Sequence, residues 1–397
     1  MRNLLIVVIA LLPCWAVAQK KELGQARAYI KSGKDFDKAE KLMTDLLKDP
    51  ANRQNPRIYQ MWYESVKKQY EAANEKLYLK QKYDTAAFFN LTYRMYTITE
   101  TLDSLDSQPN EKGRVKQEYR EDNAEDMDEL RPNLYYGGTF HLRRNSHDKA
   151  FQFFDMYIDA DRQPLFTGYD YMKKDTLMPT AAYWATFCGF KMQDPERTLK
   201  YSKLALRDEA KAAYTLQYMA EAYRLNNDEK GYIETLRQGF DRFPTYAYFF
   251  PRLADHYSQK QLNDSALVLA NQALKSNPYQ PIFLLAKSLT LLNMERYDEC
   301  ISVSKLLIEK DPNQAHAYFN IATSYLNQAL NLEKKNEPRL YKQQLTDLYT
   351  AARPYMEKYR QLAPADKQRW APALYRIYLN LNLGKQFDEI DHIMRTR

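Results

Sequence analysis

The side chains with the strongest chemistry in this 397-residue sequence are few and scattered. Of the five histidines, His141 falls on an expected helix face, His147 in an expected turn and His392 near the end of the chain. The sequence has no Gly-rich phosphate loop, no HExxH motif and no CxxC motif. Carboxylate pairs such as Glu121 and Asp122 lie in a polar stretch, without the apolar pocket that would shift a pKa toward catalysis. We therefore expect no catalytic residue, no metal site and no cofactor, and we predict that the protein is not an enzyme.

A regular interval indicates which elements position the remaining side chains. Pro244, Pro278 and Pro312 are 34 residues apart, within a stretch that runs from 213 to 326. The same interval separates four small residues and four larger ones three positions later, which are Ala220, Ala254, Ser288 and Ala322, then Tyr223, Tyr257, Leu291 and Tyr325. Residues i and i+3 share one helix face, so each unit begins with a helix whose small residue is expected at a tight helix junction. A second helix follows in each unit, and Pro278 and Pro312 end it in two of them.

This pattern of a 34-residue period, a small residue, an aromatic site and a closing proline resembles the tetratricopeptide repeat (TPR) family. One helix pair cannot bury its apolar face alone, so neighbouring pairs stack. The resemblance implies an all-α fold, a right-handed superhelical solenoid of TPR helix-turn-helix repeats.

The chain start has the composition of a cleaved secretory signal. Residues 1–18 combine a basic residue, an apolar run too short to span a membrane, and small residues before a cleavage point after Ala18. Cys14 could suggest a lipoprotein, but Pro13 before it and Trp15 after it are unlike the small residues of a lipobox. We therefore expect an exported, periplasmic protein.

The rest of the chain divides by its patterns into three parts. Residues 19–102 are expected to form N-terminal TPR-like helical pairs, and the polar residues 103–130 an insertion, which is either a linker or an exposed extra helix. Residues 131–397 are expected to form the main TPR array, with a degenerate unit at 180–206 and a capping helix at the C-terminal end.

Charge and cysteine usage limit the classes of partner and of covalent chemistry. The 58 lysines and arginines against 51 acidic residues give a net charge of +7, interspersed as on solvated helix faces, so no nucleic-acid partner is expected. Removal of the leader would leave Cys188 and Cys300, which occupy small-residue sites in separate units. We predict buried thiols rather than a disulfide.

The resemblance to the TPR family implies that a concave groove binds polypeptide through defined sites on each first helix. In this sequence those sites are Tyr135, Thr139, Tyr214, Gln217, Glu221, Arg224, Tyr248, Asp255, Leu285, Leu289, His316, Phe319 and Thr323. The groove is expected to change from polar and aromatic to apolar along the chain, which suits an extended peptide or a helix. The alternative is that Leu289 and Leu292 pack against a neighbouring helix.

Two functional hypotheses follow from the leader and the resemblance. The first is a scaffold in a cell-envelope assembly, which binds an envelope protein or a peptide segment and touches outer-membrane proteins peripherally. The alternative is a component of an outer-membrane glycan-uptake or glycan-binding system, with Tyr135, Tyr214 and Tyr248 as ring platforms. The surroundings of Cys14 and the lack of a large non-repeat segment favour the first.

Overall fold

The computed structural model describes residues 19–109, 112–335 and 337–395, so the leader expected at 1–18 lies outside the described residues. The described part of the chain contains twenty α-helices and no β-strand. In chain order they are α1 (19–32), α2 (Phe36–Leu46), α3 (Pro56–Tyr78), α4 (Thr85–Asp106), α5 (Arg120–Leu142), α6 (His147–Asp159), α7 (Tyr171–Lys174), α8 (Met178–Lys191), α9 (Pro195–Lys200), α10 (Ser202–Ala205), α11 (Ala212–Leu225), α12 (Glu229–Arg242), α13 (Phe249–Gln259), α14 (Asn263–Ser276), α15 (Pro281–Asn293), α16 (Tyr297–Lys310), α17 (Ala315–Glu333), α18 (Pro338–Leu362), α19 (Lys367–Asn380) and α20 (Gly384–Arg395).

The turn between the two helices of a pair repeats with the period seen in the sequence. Gln193, Asn227, Gln261 and Glu295 all have φ between 55° and 58°, and they are 34 residues apart. The amide that follows the turn residue donates to the aromatic site of the first helix, as Leu262 N does to the Tyr257 carbonyl at 2.8 Å. This is the Schellman closure of a helix end. The expected all-α array of TPR helix-turn-helix repeats is confirmed.

Two compact units divide the chain, one up to Tyr232 and one from Ile233. In the first unit, Glu40 of α2 joins three helices. Its carboxylate accepts hydrogen bonds from Trp62 Nε1 at 3.2 Å and Gln69 Nε2 at 2.7 Å on α3, and it pairs with Arg94 on α4. Polar contacts of this kind fix how the apolar faces of α2, α3 and α4 meet.

The stretch 103–130, expected to be a linker or an exposed extra helix, belongs partly to two long helices. Helix α4 continues to Asp106 and α5 already begins at Arg120, so most of this stretch is helical. The Asp103 carboxylate is buried and accepts from the Arg120 guanidinium at 2.6 and 2.8 Å, while Ala124 and Met127 lie in the core. The stretch is an N-terminal extension of a first helix. Because charged residues surround positions 124 and 127, the short buried face that they form is hard to recognise in the sequence.

The degenerate unit at 180–206 has a broken second helix. The backbone leaves helical geometry at Tyr201, with φ of −117° and ψ of 8°, which separates α9 from α10. The Tyr201 hydroxyl donates to Asp155 Oδ1 on α6 at 2.7 Å. This contact ties the break to the preceding helix pair.

In the second unit, α13 to α16 keep the regular repeat and the later helices lengthen. Helix α17 runs on to Glu333 without the left-handed turn, and α18 extends over 25 residues. The core between α17, α18 and α19 is aromatic, with Tyr349, Tyr359 and Trp370 all buried. Among the described residues, no helix is both long and apolar enough for a membrane span.

Candidate functional site

An open cleft lies in the second unit between the first helices of two successive repeats, α13 and α15, with α14 behind it. We call it the α13–α15 cleft. Its volume is about 190 Å³. The residues that define it are Ala254, Asp255, Ser258, Ile282, Leu285 and Leu289.

The cleft exists because one small residue of the repeat is not covered. Ala220, Ser288 and Ala322 are fully buried, but Ala254 at the same repeat position is half-buried and lines the cleft. The expectation that every small residue lies at a tight helix junction is therefore wrong for Ala254. Below it, the Phe250 ring packs 4.5 Å from the Phe283 ring, centroid to centroid, so the floor is a packed aromatic core.

Helix α15 presents an apolar stripe to the cleft. Ile282 is 41% exposed and Leu289 is 44% exposed, and Leu285 lies between them and is half-buried. These residues are at positions i, i+3 and i+7 of one helix, so they share a face. Leu289 lines the cleft with much of its surface open, which does not agree with the alternative of simple packing against a neighbouring helix. Leu292 is half-buried.

Helix α13 supplies a polar rim opposite this stripe. Asp255 and Ser258 are exposed on its cleft side. The Asp255 carboxylate forms no ion pair with any residue that the structure describes. The cleft thus offers a contiguous apolar surface beside one unneutralised negative charge.

The other predicted groove residues of the second unit lie outside this cleft. Tyr248 is only 7% exposed, and the Arg252 guanidinium lies 3.7 Å above its ring centroid. The Phe319 ring packs 5.0 Å from the Tyr359 ring, as part of the contact between α17 and α18. His316 and Thr323 are also on α17, where His316 is exposed and Thr323 is half-buried.

The predicted groove residues of the first unit are of two kinds. Tyr135 and Thr139 on α5 are half-buried, as are Gln217 and Glu221 on α11, while Tyr214 and Arg224 are exposed. The Arg224 guanidinium pairs with Glu221 at 2.7 Å. The tyrosines suggested as sugar platforms also differ in exposure. The Tyr135 ring packs among Tyr136, Phe154 and Tyr157, whereas Tyr214 is 46% exposed. Of the thirteen predicted residues, the cleft brings together Asp255, Leu285 and Leu289.

Sequence reasoning missed Ile282 and Ala254 as cleft residues. Ile282 precedes Leu285 by three residues and Leu289 by seven, so the helical spacing could have included it. No such signal existed for Ala254, whose sequence position is equivalent to that of three fully buried residues.

Groups with nucleophilic or metal-binding chemistry are not gathered into a site in the described part of the chain. No cluster of three or more His, Cys, Asp or Glu side chains there could hold a metal ion. Cys188 and Cys300 are free and fully buried, which confirms the prediction of buried thiols. Burial raises the pKa of the Cys188 thiol to about 12, so it stays protonated and unreactive at neutral pH.

In comparisons with known proteins, the similar solved structures are TPR proteins. No family model matches the sequence, and no curated protein matches it. Among solved structures, the C-terminal part of a TPR repeat-containing protein from Cytophaga hutchinsonii is 14% identical, with a TM-score of 0.42 over 64% of this chain and 92% of that one. YrrB, a TPR protein with an unusual peptide-binding site, is 16% identical, with a TM-score of 0.34 over 49% and 92%. A TPR repeats protein from Bacteroides fragilis is 14% identical, with a TM-score of 0.31 over 66% and 98%.

Proposed function

We propose that this protein is an exported TPR scaffold that binds a polypeptide of a cell-envelope assembly through the α13–α15 cleft. The observation that carries the proposal is the apolar stripe of Ile282, Leu285 and Leu289, left open beside the free carboxylate of Asp255. Exposed apolar surface with a polar rim is typical of protein interaction sites.

The shape and chemistry of the cleft favour a polypeptide over a small polar ligand. A helix or an extended segment can place apolar anchors against a stripe at positions i, i+3 and i+7. Full burial of one leucine-sized side chain stabilises a complex by ~1.5–3 kcal/mol, and the stripe offers several such contacts. The unpaired Asp255 carboxylate would then fix the orientation of a basic residue in the partner.

The test is capture of neighbouring proteins from native membranes with wild-type and variant chains. Leu289→Glu should abolish capture, because a bound partner would bury an unpaired charge. Ala254→Trp should do the same by filling the cleft. Val268→Glu is the matched control, since Val268 is a 65% exposed residue of α14 that does not line the cleft.

Circular dichroism and a cooperative melting transition must show that each variant is folded. Phe319 is not a suitable target, because its ring packs on Tyr359 and a charge there would disturb the fold. Capture of an unchanged set of envelope proteins by folded Leu289→Glu would refute the role of the cleft.

Export is part of the same proposal and has a separate test. The mature protein should begin at Gln19, which N-terminal sequencing of protein purified from its native cells will determine. A lipid-modified start at Cys14 would contradict a soluble periplasmic protein and move it to a membrane surface.

A further inference from the structure

A second concave site lies in the first unit, on the side of α5 where the charged extension meets the aromatic core. We call it the tyrosine-acid pocket. Its volume is about 250 Å³, and it is lined among others by Asp128, Tyr135, Tyr136, Asp175 and Leu177. It does not share a residue with the α13–α15 cleft.

The back of the pocket is a buried and internally neutralised arginine. The Arg131 guanidinium lies between the Tyr157 and Tyr171 rings, 3.8 and 3.9 Å from their centroids. Its Nη1 donates to Asp175 Oδ2 at 2.6 Å, so Arg131 and Asp175 together carry no net charge. Asp175 accepts two further hydrogen bonds, from the Tyr157 hydroxyl and from the Leu177 amide. The Asp175 carboxylate thus has three donors, and these contacts fix the shape of this wall of the pocket.

Asp128 is different, because its acceptor capacity is not used up. Its Oδ1 accepts from the Tyr171 hydroxyl at 2.6 Å, but no cation among the described residues pairs with its carboxylate. Four residues later, Pro132 has no N–H, so the usual helical donor to the Asp128 carbonyl is missing. Asp128 therefore keeps spare acceptor capacity in the lining of a pocket whose only arginine is already paired.

The surroundings of the pocket add to its negative charge. Residues 120–131 of α5 hold six carboxylates and two arginines, and both arginines are paired with acids from outside this segment, Asp103 and Asp175. Of the six, Asp126 alone has a cationic partner in the described chain, Lys67. The excess of carboxylates on this segment favours a cation over an anion near the pocket.

The walls fit the rest of a basic side chain. The Tyr135 and Tyr136 rings meet edge to face, with centroids 6.0 Å apart, and Tyr136 is 56% exposed. Leu177 is 44% exposed at the same site. Tyrosine faces attract cations, and apolar side chains cover the methylene stem of lysine or arginine.

We propose that the tyrosine-acid pocket binds the side chain of a lysine or arginine carried by a partner polypeptide. This proposal rests on the proposed function, because the partner in both is a polypeptide. It adds a second contact, in the other unit, that selects a positively charged side chain. A neutral sugar would use the rings but would gain nothing from the excess negative charge.

The test measures binding of acetyl-arginine amide to the full mature chain by ligand-observed NMR titration. Acetyl-citrulline amide is the probe control, because it has nearly the shape of the arginine probe without the charge. We expect the arginine probe to bind about tenfold more tightly than the citrulline probe, and its binding to weaken as salt is raised.

Two substitutions on α5, each of which removes one negative charge, distinguish binding in the pocket from attraction to the acidic helix as a whole. Asp128→Asn keeps an oxygen for the Tyr171 hydroxyl, so the fold should survive while binding of the arginine probe falls about tenfold. Glu129→Gln removes the same charge from an exposed residue outside the pocket lining and should leave the binding nearly unchanged.

Equal binding of the two probes, or equal effects of the two substitutions, would overturn the proposal. Binding of maltotriose at the pocket, in place of the arginine probe, would also overturn it and favour glycan recognition. Because Asp128 and Glu129 lie outside the α13–α15 cleft, failure of the Asp128→Asn test would leave the capture experiment with Leu289→Glu unaffected.

Discussion

Helices α8 and α9 of the first unit approach each other closely at Gly189. A β-carbon at this position would lie 2.4 Å from the backbone nitrogen of Thr198 and 2.7 Å from the carbonyl carbon of Arg197. Both are backbone atoms, so they cannot rotate away as the end of a side chain can. Gly189→Ala therefore tests whether the packing of α8 on α9 in this degenerate repeat requires a residue without a side chain.

The size of the effect follows from the geometry. Ordinary contact begins at 3.4 Å, so the helices would have to separate by about 1 Å, the difference between 3.4 and 2.4 Å. Overpacking of this kind costs ~1–3 kcal/mol, while alanine recovers roughly 1 kcal/mol over glycine through its helix propensity. We expect a net loss of up to ~2 kcal/mol in the free energy of unfolding.

Gly24→Ala is the matched control. Gly24 lies in α1, and nothing comes within 4 Å of an added β-carbon there. That substitution should stabilise by ~0.5–1 kcal/mol, so the free energies of unfolding of the two variants should differ by ~0.5–3 kcal/mol. Urea denaturation followed by circular dichroism compares the midpoints. Hydrogen exchange should locate the Gly189→Ala loss in α8 and α9, because repeat arrays open locally. Equal midpoints for the two variants would refute the close-packing argument.

Three further outcomes are expected. Cys188 and Cys300 should react with a thiol reagent only when urea unfolds the chain, since both are buried, and rapid reaction of the native protein would contradict this. Burial, with nearby cations, lowers the pKa of His141, so the unfolded chain binds the proton more readily. Stability should therefore fall as pH drops below about 6.5, by up to ~1.4 kcal/mol per pH unit, and His141→Phe should lose less between pH 7.5 and 5.5 than wild type. Glu295→Gly should raise the free energy of unfolding by ~0.5–1 kcal/mol, because glycine adopts the left-handed conformation without strain. Asn227→Gly should gain less, because asparagine tolerates that conformation, and equal shifts in the two urea midpoints would count against the reasoning.

The helix pairs were predictable from sequence because their causes are local. A small residue, a larger one three positions later and a closing proline act within one helix or one turn, and the four left-handed turns show the same interval of 34. The extension of α5 was not predictable in the same way. Its two buried apolar positions, Ala124 and Met127, are outnumbered by charges that face solvent or pair with distant residues such as Asp103.

The site was only partly predictable, because it depends on distances between elements. Asp255, Leu285 and Leu289 could be assigned to one face by helical spacing alone. The half-buried state of Ala254 depends on how α15 lies against α13, which residue type does not encode. The contact of Phe319 with Tyr359 depends on the lengths of α17 and α18, where the repeat interval no longer holds.

Because the left-handed turns recur at a fixed interval, one whole repeat could be deleted or duplicated without changing the geometry of the turns. Excision of the 34 residues 262–295 would join Gln261 directly to Arg296. The Arg296 amide, which now donates to the Leu291 carbonyl at 2.9 Å, would then occupy the place of the Leu262 amide opposite the Tyr257 carbonyl. Such a deletion removes α14 and α15 with their whole apolar stripe and leaves a correctly formed turn. A deletion of any other length would leave the amide after the turn out of register with its carbonyl acceptor. Recombination between repeats that adds or removes 34 residues would therefore remove or duplicate the apolar stripe in a single genetic step and preserve the turns on either side.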